Sequence, residues 1–326
     1  MDFHITWPII AKATNTPNKL LNRVSCMASA ILRVMEASVG AKKMTITAQA
    51  VKELRDKTGA GMMDCKKALT ETGGDLEEAI KFLRTKGLAA AAKKAHRAAS
   101  DGSVVVAGDE NAMVVLELNC ETDFVARNPE FVSFAEALAG QALSSGAADV
   151  EELKSQPFSE DPEHTVEEAI SQKVATIGEN VVLNRLARIE AAEGNSLNSY
   201  IHGGGKIGVV VEGSGGVSAE ALHDVALHVA AAEPRFVNRD EVTEDLLATE
   251  REIALKQAME AGKPEEIAKK IVEGKMEKFF VQEVLLEQAF AKEPDKSVKE
   301  FLEESAGKGA TIVRFARFKL GEGSDA

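Results

Sequence analysis

Residues 103–144 read SVVVAGDENAMVVLELNCETDFVARNPEFVSFAEALAGQALS. Two apolar, β-branched runs, 103–107 and 113–119, flank Gly108-Asp109-Glu110-Asn111. That composition predicts two strands and a tight turn, a β-hairpin. Asn128-Pro129 then opens a helix over 129–144, with proline where its missing N–H is not needed. Thr122-Asp123-Phe124-Val125 falls between hairpin and helix, which places it in a connecting loop. Strand pair, loop and covering helix make an α+β unit.

Downstream the pattern recurs. Residues 181–190 (VVLNRLARIE) and 207–212 (IGVVVE) read as strands, and 218–232 as a helix with Leu222, Val225, Ala226 and Val229 inward. This weak repeat predicts two α+β subdomains, over 101–180 and 181–326. The first of them ends with a polar, proline-bearing loop over 155–165 and a helix over 165–177; a strand over 311–320 completes the second sheet. Residues 241–279 are helical in pattern, interrupted at Ala261-Gly262-Lys263-Pro264. Glycine suits a helix end and proline the first turn of the next, so this stretch predicts an antiparallel helical hairpin projecting into solvent. Its charged sides leave Leu247, Ala254 and Ala261 to face Ile267, Ile271 and Met276.

Upstream, residues 44–87 hold three short helices, 47–58, 62–72 and 75–86, parted by Gly59-Ala60-Gly61 and Gly73-Gly74. Asp75 and Glu78 have capping-box spacing. An alanine-rich, basic linker helix over 88–100 follows. Residues 1–43 differ in kind. They hold Lys12, Lys19, Arg23, Arg33, Lys42 and Lys43 against Asp2 and Glu36, together with the single tryptophan, Trp7. This is a non-core leader, either an over-extended start before Met44 or a disordered tail. An organelle transit peptide is the lesser alternative.

The whole chain has 326 residues, suggesting about two domains at roughly 100–200 residues each. It is 44% hydrophobic and carries a net charge of −13. An acidic balance argues against a broad nucleic-acid or anionic-membrane surface, which needs clustered Lys and Arg. No apolar run approaches the ~18 residues of a membrane span. Cys26, Cys65 and Cys120 are scattered, as expected of free thiols in a reducing compartment.

Enzyme signals fail on context. Gly203-Gly204-Gly205-Lys206-Ile207-Gly208 spells G-x-G-x-x-G, but a strand follows where dinucleotide binding needs a helix N-terminus. His202-Gly-Gly-Gly has no companion G-x-S-x-G, and no phosphate-binding G-x-x-x-x-G-K-[ST] occurs. His223 and His228, five apart, miss a shared helical face and make poor metal ligands. No cofactor is expected.

Two stretches exceed what folding requires. In TGAGMMDCKKAL (Thr58–Leu69), adjacent Met62 and Met63 cannot both enter one core. Either one is offered to a partner, as methionine suits adaptable contacts, or both pack between helices. In NCETDFVARNPEF (Asn119–Phe131), Phe124 either inserts into a partner or tucks into its own core.

These two stretches resemble the bacterial elongation factor Ts family. So do ATIGENVVLNR (Ala175–Arg185), SYIHGGGKIGVVV (Ser199–Val211), HVAAAEPRFV (His228–Val237) and GKPEEIAKKIVEGKMEKFF (Gly262–Phe280). The resemblance runs from Met44 to about Gly323. The leader has no counterpart in the family core, and some members carry a further C-terminal segment. The resemblance implies a guanine nucleotide exchange factor for elongation factor Tu, bound in its GDP and nucleotide-free states, in the bacterial cytoplasm. It implies a ubiquitin-associated-like three-helix module docking through Arg55, Met62, Met63 and Asp64, two core subdomains and a projecting coiled coil. Thr122, Asp123, Phe124 and Val125 would intrude near the Mg²⁺ and phosphates of Tu, with Phe124 as the wedge; His202 would be a contact of the second subdomain. The alternatives are a binding module without exchange activity and, third, an oxidoreductase using the glycine turn.

Overall fold

The computed structural model describes residues 46–262 and 264–322. The readings made for residues 1–43 lie outside them. Helix α1 (Ala48–Thr58) begins where the Thr47 hydroxyl accepts from the Ala50 N–H, and ends at Gly59 in the left-handed region. Helix α2 (Met62–Glu71) and helix α3 (Leu76–Lys94) pack with it around Val51, Leu54, Cys65, Ala68, Leu69 and Ala79. One expectation is corrected. The third helix and the linker as far as Lys94 are a single helix, continuous through Gly87, and 95–100 lie outside it. Gly87 does not break it. A Cβ there would lie 3.6 Å from the Ser171 carbonyl and 3.7 Å from Ala175 Cβ, so the glycine admits a neighbouring helix to close range.

The first lobe opens with the expected hairpin, β1 (Asp101–Gly108) against β2 (Ala112–Cys120). A single helical turn, α4 (Asp123–Ala126), precedes α5 (Pro129–Ser145), whose Asn128 side chain accepts from the Glu130 N–H. Then come α6 (Val150–Ser155), a small hairpin of β3 (Pro157–Phe158) and β4 (Asp161–Thr165), helix α7 (Val166–Ile177) and β5 (Val182–Glu190). The core beneath the sheet is built from Leu116, Leu118, Phe131, Leu138, Leu153, Val166 and Leu183.

The second lobe repeats this order. It runs β6 (Ser196–His202), β7 (Ile207–Ser214) and α8 (Ala219–Ala232), then the helix pair α9 (Glu244–Glu260) and α10 (Glu265–Glu283). A second small hairpin, β8 (Ala289–Phe290) and β9 (Glu293–Ser297), leads to α11 (Val298–Ala306) and β10 (Thr311–Lys319). The sheets have matching orders, β1-β2-β5 and β6-β7-β10, all antiparallel. The repeat is written plainly in QPFSEDPEHTVEE (156–168) and QAFAKEPDKSVKE (288–300). Each segment closes a hairpin, donates a valine N–H to its glutamine carbonyl at 2.9 Å, and ends in a capping box, Thr165 with Glu168 and Ser297 with Glu300.

The pairing expected within the repeat is therefore corrected. Strand 182–190 pairs with β2 and not with 207–212, so the first sheet takes its third strand from beyond residue 181. The partner of 207–214 is 196–202, whose polar SLNSYIH composition conceals a strand with only Leu197 buried. In the helix pair, Leu247, Ala254 and Ala258 are buried on one helix, and Ala268, Met276 and Phe280 on the other. Ala261 and Ile267 are exposed, against the expected facing.

The two sheets pack against each other through Val104, Met113, Val115, Ile189, Leu197 and Val210. The glycine turn serves this contact. The Val104 N–H donates to the Gly205 carbonyl at 2.7 Å, and a Cβ on Gly208 would come within 2.5 Å of Val104 Cγ1. Two buried carboxylates flank the apolar patch. Glu117 faces Arg185 at 2.7 Å, and Glu212 faces Arg314 at 2.6 Å. Each arginine also reaches across the lobes, Arg185 to the Lys319 carbonyl and Arg314 to the Glu190 carbonyl.

Candidate partner-binding site

The residues 122–125 form a turn of helix and not the expected loop. Thr122 takes the extended N-cap conformation, and Asp123–Ala126 coil behind it; four residues are too few to show a helical period in sequence. Val125 and Ala126 lean on the first lobe's core, while Phe124 is 84% exposed. Of the two fates open to Phe124, the turn selects presentation to solvent. Burying such a ring is worth roughly 1.5–3 kcal/mol, which makes it a ready contact for a partner. Asp123 pairs with Arg127 one turn on, at 2.9 Å.

The base of the turn is bound by one carboxylate from the segment after α7. Glu179 accepts from the Glu121 N–H at 3.1 Å, the Thr122 N–H at 3.0 Å and the Thr122 hydroxyl at 2.7 Å. Reciprocally, Glu121 accepts from the Asn180 N–H at 2.6 Å and from Arg97 at 3.3 Å. The Asn180 bond holds the Glu121 carboxyl below the ordinary carboxylate range, with Arg97 adding to it. Cys120 lies just behind. Burial, with the charge of Glu179, pushes its thiol up to about 12, so it stays protonated and its S–H donates to the Thr122 carbonyl. Sequence reading quoted Gly178-Glu179-Asn180 but gave it no role. Two adjacent polar residues after a helix-ending glycine were the available signal.

At the start of α2, Met62 is 60% and Met63 75% exposed, so both methionines face solvent and neither packs between helices. Cys65, one turn further, points into the three-helix core. Asp64 is tied to Lys86 of α3, and Arg55 lies exposed on α1. His202 is exposed at the end of β6, its Nδ1 3.0 Å from the Tyr200 hydroxyl. The candidate residues thus sit on three units: the three-helix unit, the first lobe and the second lobe. No hydrogen bond or ion pair among the described residues joins one set to another.

No group of three or more His, Cys, Asp or Glu among the described residues is placed to hold a metal ion. His228 is buried, with Nε2 2.9 Å from Gln288 Oε1 and Nδ1 accepting from the Ala291 N–H; burial pulls its pKa down, outweighing the Gln288 bond. None of the described helices is long and apolar enough to cross a membrane.

The family model described as Elongation factor TS matches residues 121–322. Two proteins named Elongation factor Ts, from Clostridium botulinum strains Eklund 17B (Type B) and Alaska E43 (Type E3), are each 47% identical to this chain over 287 residues. Those matches cover 85% of this chain and 94% of each relative. The region matched by the family model contains the Phe124 turn, its Glu179 brace and the whole second lobe, and the chain belongs to the elongation factor Ts family.

Proposed function

We propose that this chain promotes GDP release from elongation factor Tu by pushing the Phe124 turn into the partner beside its Mg²⁺ and phosphate site. Membership of the family makes it a nucleotide exchange factor for elongation factor Tu, not a catalyst of covalent chemistry. The observation that carries the finer reading is the 84% exposed phenylalanine at the tip of a braced turn. An exchange factor works by reciprocity: preferring the nucleotide-free partner, it lowers nucleotide affinity by the same coupling free energy. Disturbing the Mg²⁺ removes the charge that neutralises the diphosphate, so GDP leaves. GTP binding then expels the factor by the same linkage. Thr122 and Val125 hold the turn, Asp123 stands beside the wedge, and His202 supplies a contact from the second lobe. The three-helix unit, which we assign to the ubiquitin-associated type, docks through Arg55, Met62, Met63 and Asp64. The α9–α10 pair is the projecting coiled coil. The place of action is the bacterial cytoplasm, with no nucleic acid or membrane in the contact.

Release of a fluorescent GDP analogue from purified elongation factor Tu, with this chain at catalytic concentration, tests the proposal. A large acceleration is expected. A stable complex without acceleration would leave a binding module only. The methionines separate docking from exchange. Met62→Ala/Met63→Ala is expected to raise the half-saturating concentration roughly tenfold or more, from lost apolar contact, while the maximal rate stays within about twofold. A fall in maximal rate at unchanged half-saturation would reverse that assignment.

A further inference from the structure

We infer that Glu179 is a positioning residue for exchange: its carboxylate holds the Thr122 cap, and through it the Phe124 turn, in the presenting conformation. This rests on the wedge reading above. A helix of four residues cannot sustain itself, because nucleation fixes several dihedrals for very few hydrogen bonds. Its own cap bond, from the Val125 N–H to the Thr122 hydroxyl, is long at 3.5 Å. The strong bonds at this base are instead the three that Glu179 accepts, two from backbone N–H groups and one from the Thr122 hydroxyl. Hydrogen bonds to an ionised carboxylate are shorter and roughly twice as strong as neutral ones.

Glu179 is itself well placed to act as a fixed post. It follows Gly178, which terminates α7 in the left-handed region with its N–H on the Val174 carbonyl. On its other side, Asn180 is tied to Glu121 by its backbone and to the Arg97 carbonyl by its side chain. Both ends of the brace are therefore anchored in the first lobe. Without it, the turn would unwind and the Phe124 ring would sample positions against its own lobe. Ordering the loop would then be charged to each encounter with the partner, which slows the step that needs the ring in place.

The test compares Glu179→Gln, Phe124→Ala and the double variant, each in the full chain, in GDP-analogue release from elongation factor Tu. Glu179→Gln keeps the side-chain shape but removes the charge and turns an amide NH₂ toward N–H donors. It is expected to lower the maximal exchange rate roughly tenfold, with half-saturation within about twofold because the docking methionines lie on another unit. In the Phe124→Ala background the same substitution is expected to have no further effect, as two changes acting through one contact are not additive. A wild-type maximal rate for Glu179→Gln, with Phe124→Ala impaired, would sink this inference and leave the wedge reading standing. Full additivity in the double variant would also sink it, since that is the mark of a general stability role. A wild-type rate for Phe124→Ala would overturn the wedge reading and this inference together. Should Glu179→Gln fail to fold, Thr122→Val, which removes the 2.7 Å hydroxyl bond to Glu179 together with the long 3.5 Å cap bond, carries the same test; Thr122→Ser is expected to restore the rate.

Discussion

Phe124→Ala is expected to lower the maximal rate of GDP release from elongation factor Tu by roughly ten- to a hundredfold, and to leave the melting curve of the free protein unchanged. The two halves of that result have one cause. A ring 84% exposed contributes almost nothing to the free fold, so its removal leaves no cavity. In the proposed complex the same ring is buried, at roughly 1.5–3 kcal/mol, and each 1.36 kcal/mol is a factor of ten in rate. The interaction counts toward rate only if it is made as nucleotide leaves and not on first contact. The measurement is therefore exchange rate against factor concentration. A rise in half-saturation with an unchanged plateau would make Phe124 a docking residue, and the wedge would have to be sought elsewhere.

Arg185→Ala is expected to cost about 3–5 kcal/mol, the usual effect of stripping a buried carboxylate of its cation. At this chain length that is a drop of roughly 4–7 °C in Tm. Glu117 is fully buried and would keep only neutral donors, the Asn119 and Asn184 amides and the Gly321 N–H. The same change removes the bond to the Lys319 carbonyl and the guanidinium lying 4.3 Å over the Phe318 ring, so both sheets lose a tie at once. The matching Arg314→Ala should cost less, since Arg314 is 51% exposed, and should show itself mainly in acid. Burial raises the Glu212 carboxyl, but bonds from Asn195, the Ala192 N–H and Arg314 outweigh it and hold the group below its ordinary value. A depressed folded pKa means stability present at neutral pH and lost as pH falls through that value. Deleting Arg314 removes part of the depression, so the acid transition should move to higher pH. Melting curves from about pH 7 down to pH 3 would check both variants; a wild-type Tm for Arg185→Ala would mean that Glu117 does not depend on its partner.

Local chemistry was the legible part of the sequence. The first hairpin, the helix opened by Asn128-Pro129, and the short helices parted by glycines follow from turn composition and caps, and all are present. What could not be read was pairing at a distance. Strand 182–190 looks alike whether it joins 207–214 or crosses back to 112–120; only the buried Glu117–Arg185 pair distinguishes the two, and a lone arginine in a strand does not announce it. Strand 196–202 was hidden by its polar side chains, and the continuity of the third helix into the linker was hidden because glycine's cost in a helix is visible in sequence while the helix it accommodates is not. The duplication of 156–168 in 288–300 was legible in principle, yet sequence patterning gave only a loop over 155–165 and a helix from 165, and no element for 288–300. Of the candidate site, residue type alone could not choose between an inserted and a tucked Phe124. Its proposed role came from family resemblance, and its exposure from the braced turn.

Helix α3 has a mechanical consequence. It starts within the three-helix unit and ends six residues short of β1, and on the way Gly87 lets it lie against α7 while Arg84 is tied to Glu168. The exposed methionines and the Phe124 turn are thus joined by a strut and not by a tether. A flexible tether spreads its second group over a volume set by linker length, diluting it at the target. A strut holds the span nearly constant, as calipers do. In the proposed complex, once the methionines engage, the local concentration of the ring at its destination is high if that distance matches the partner and close to nil if it does not. Selectivity for one partner can therefore reside in a length, in addition to the chemistry at either end.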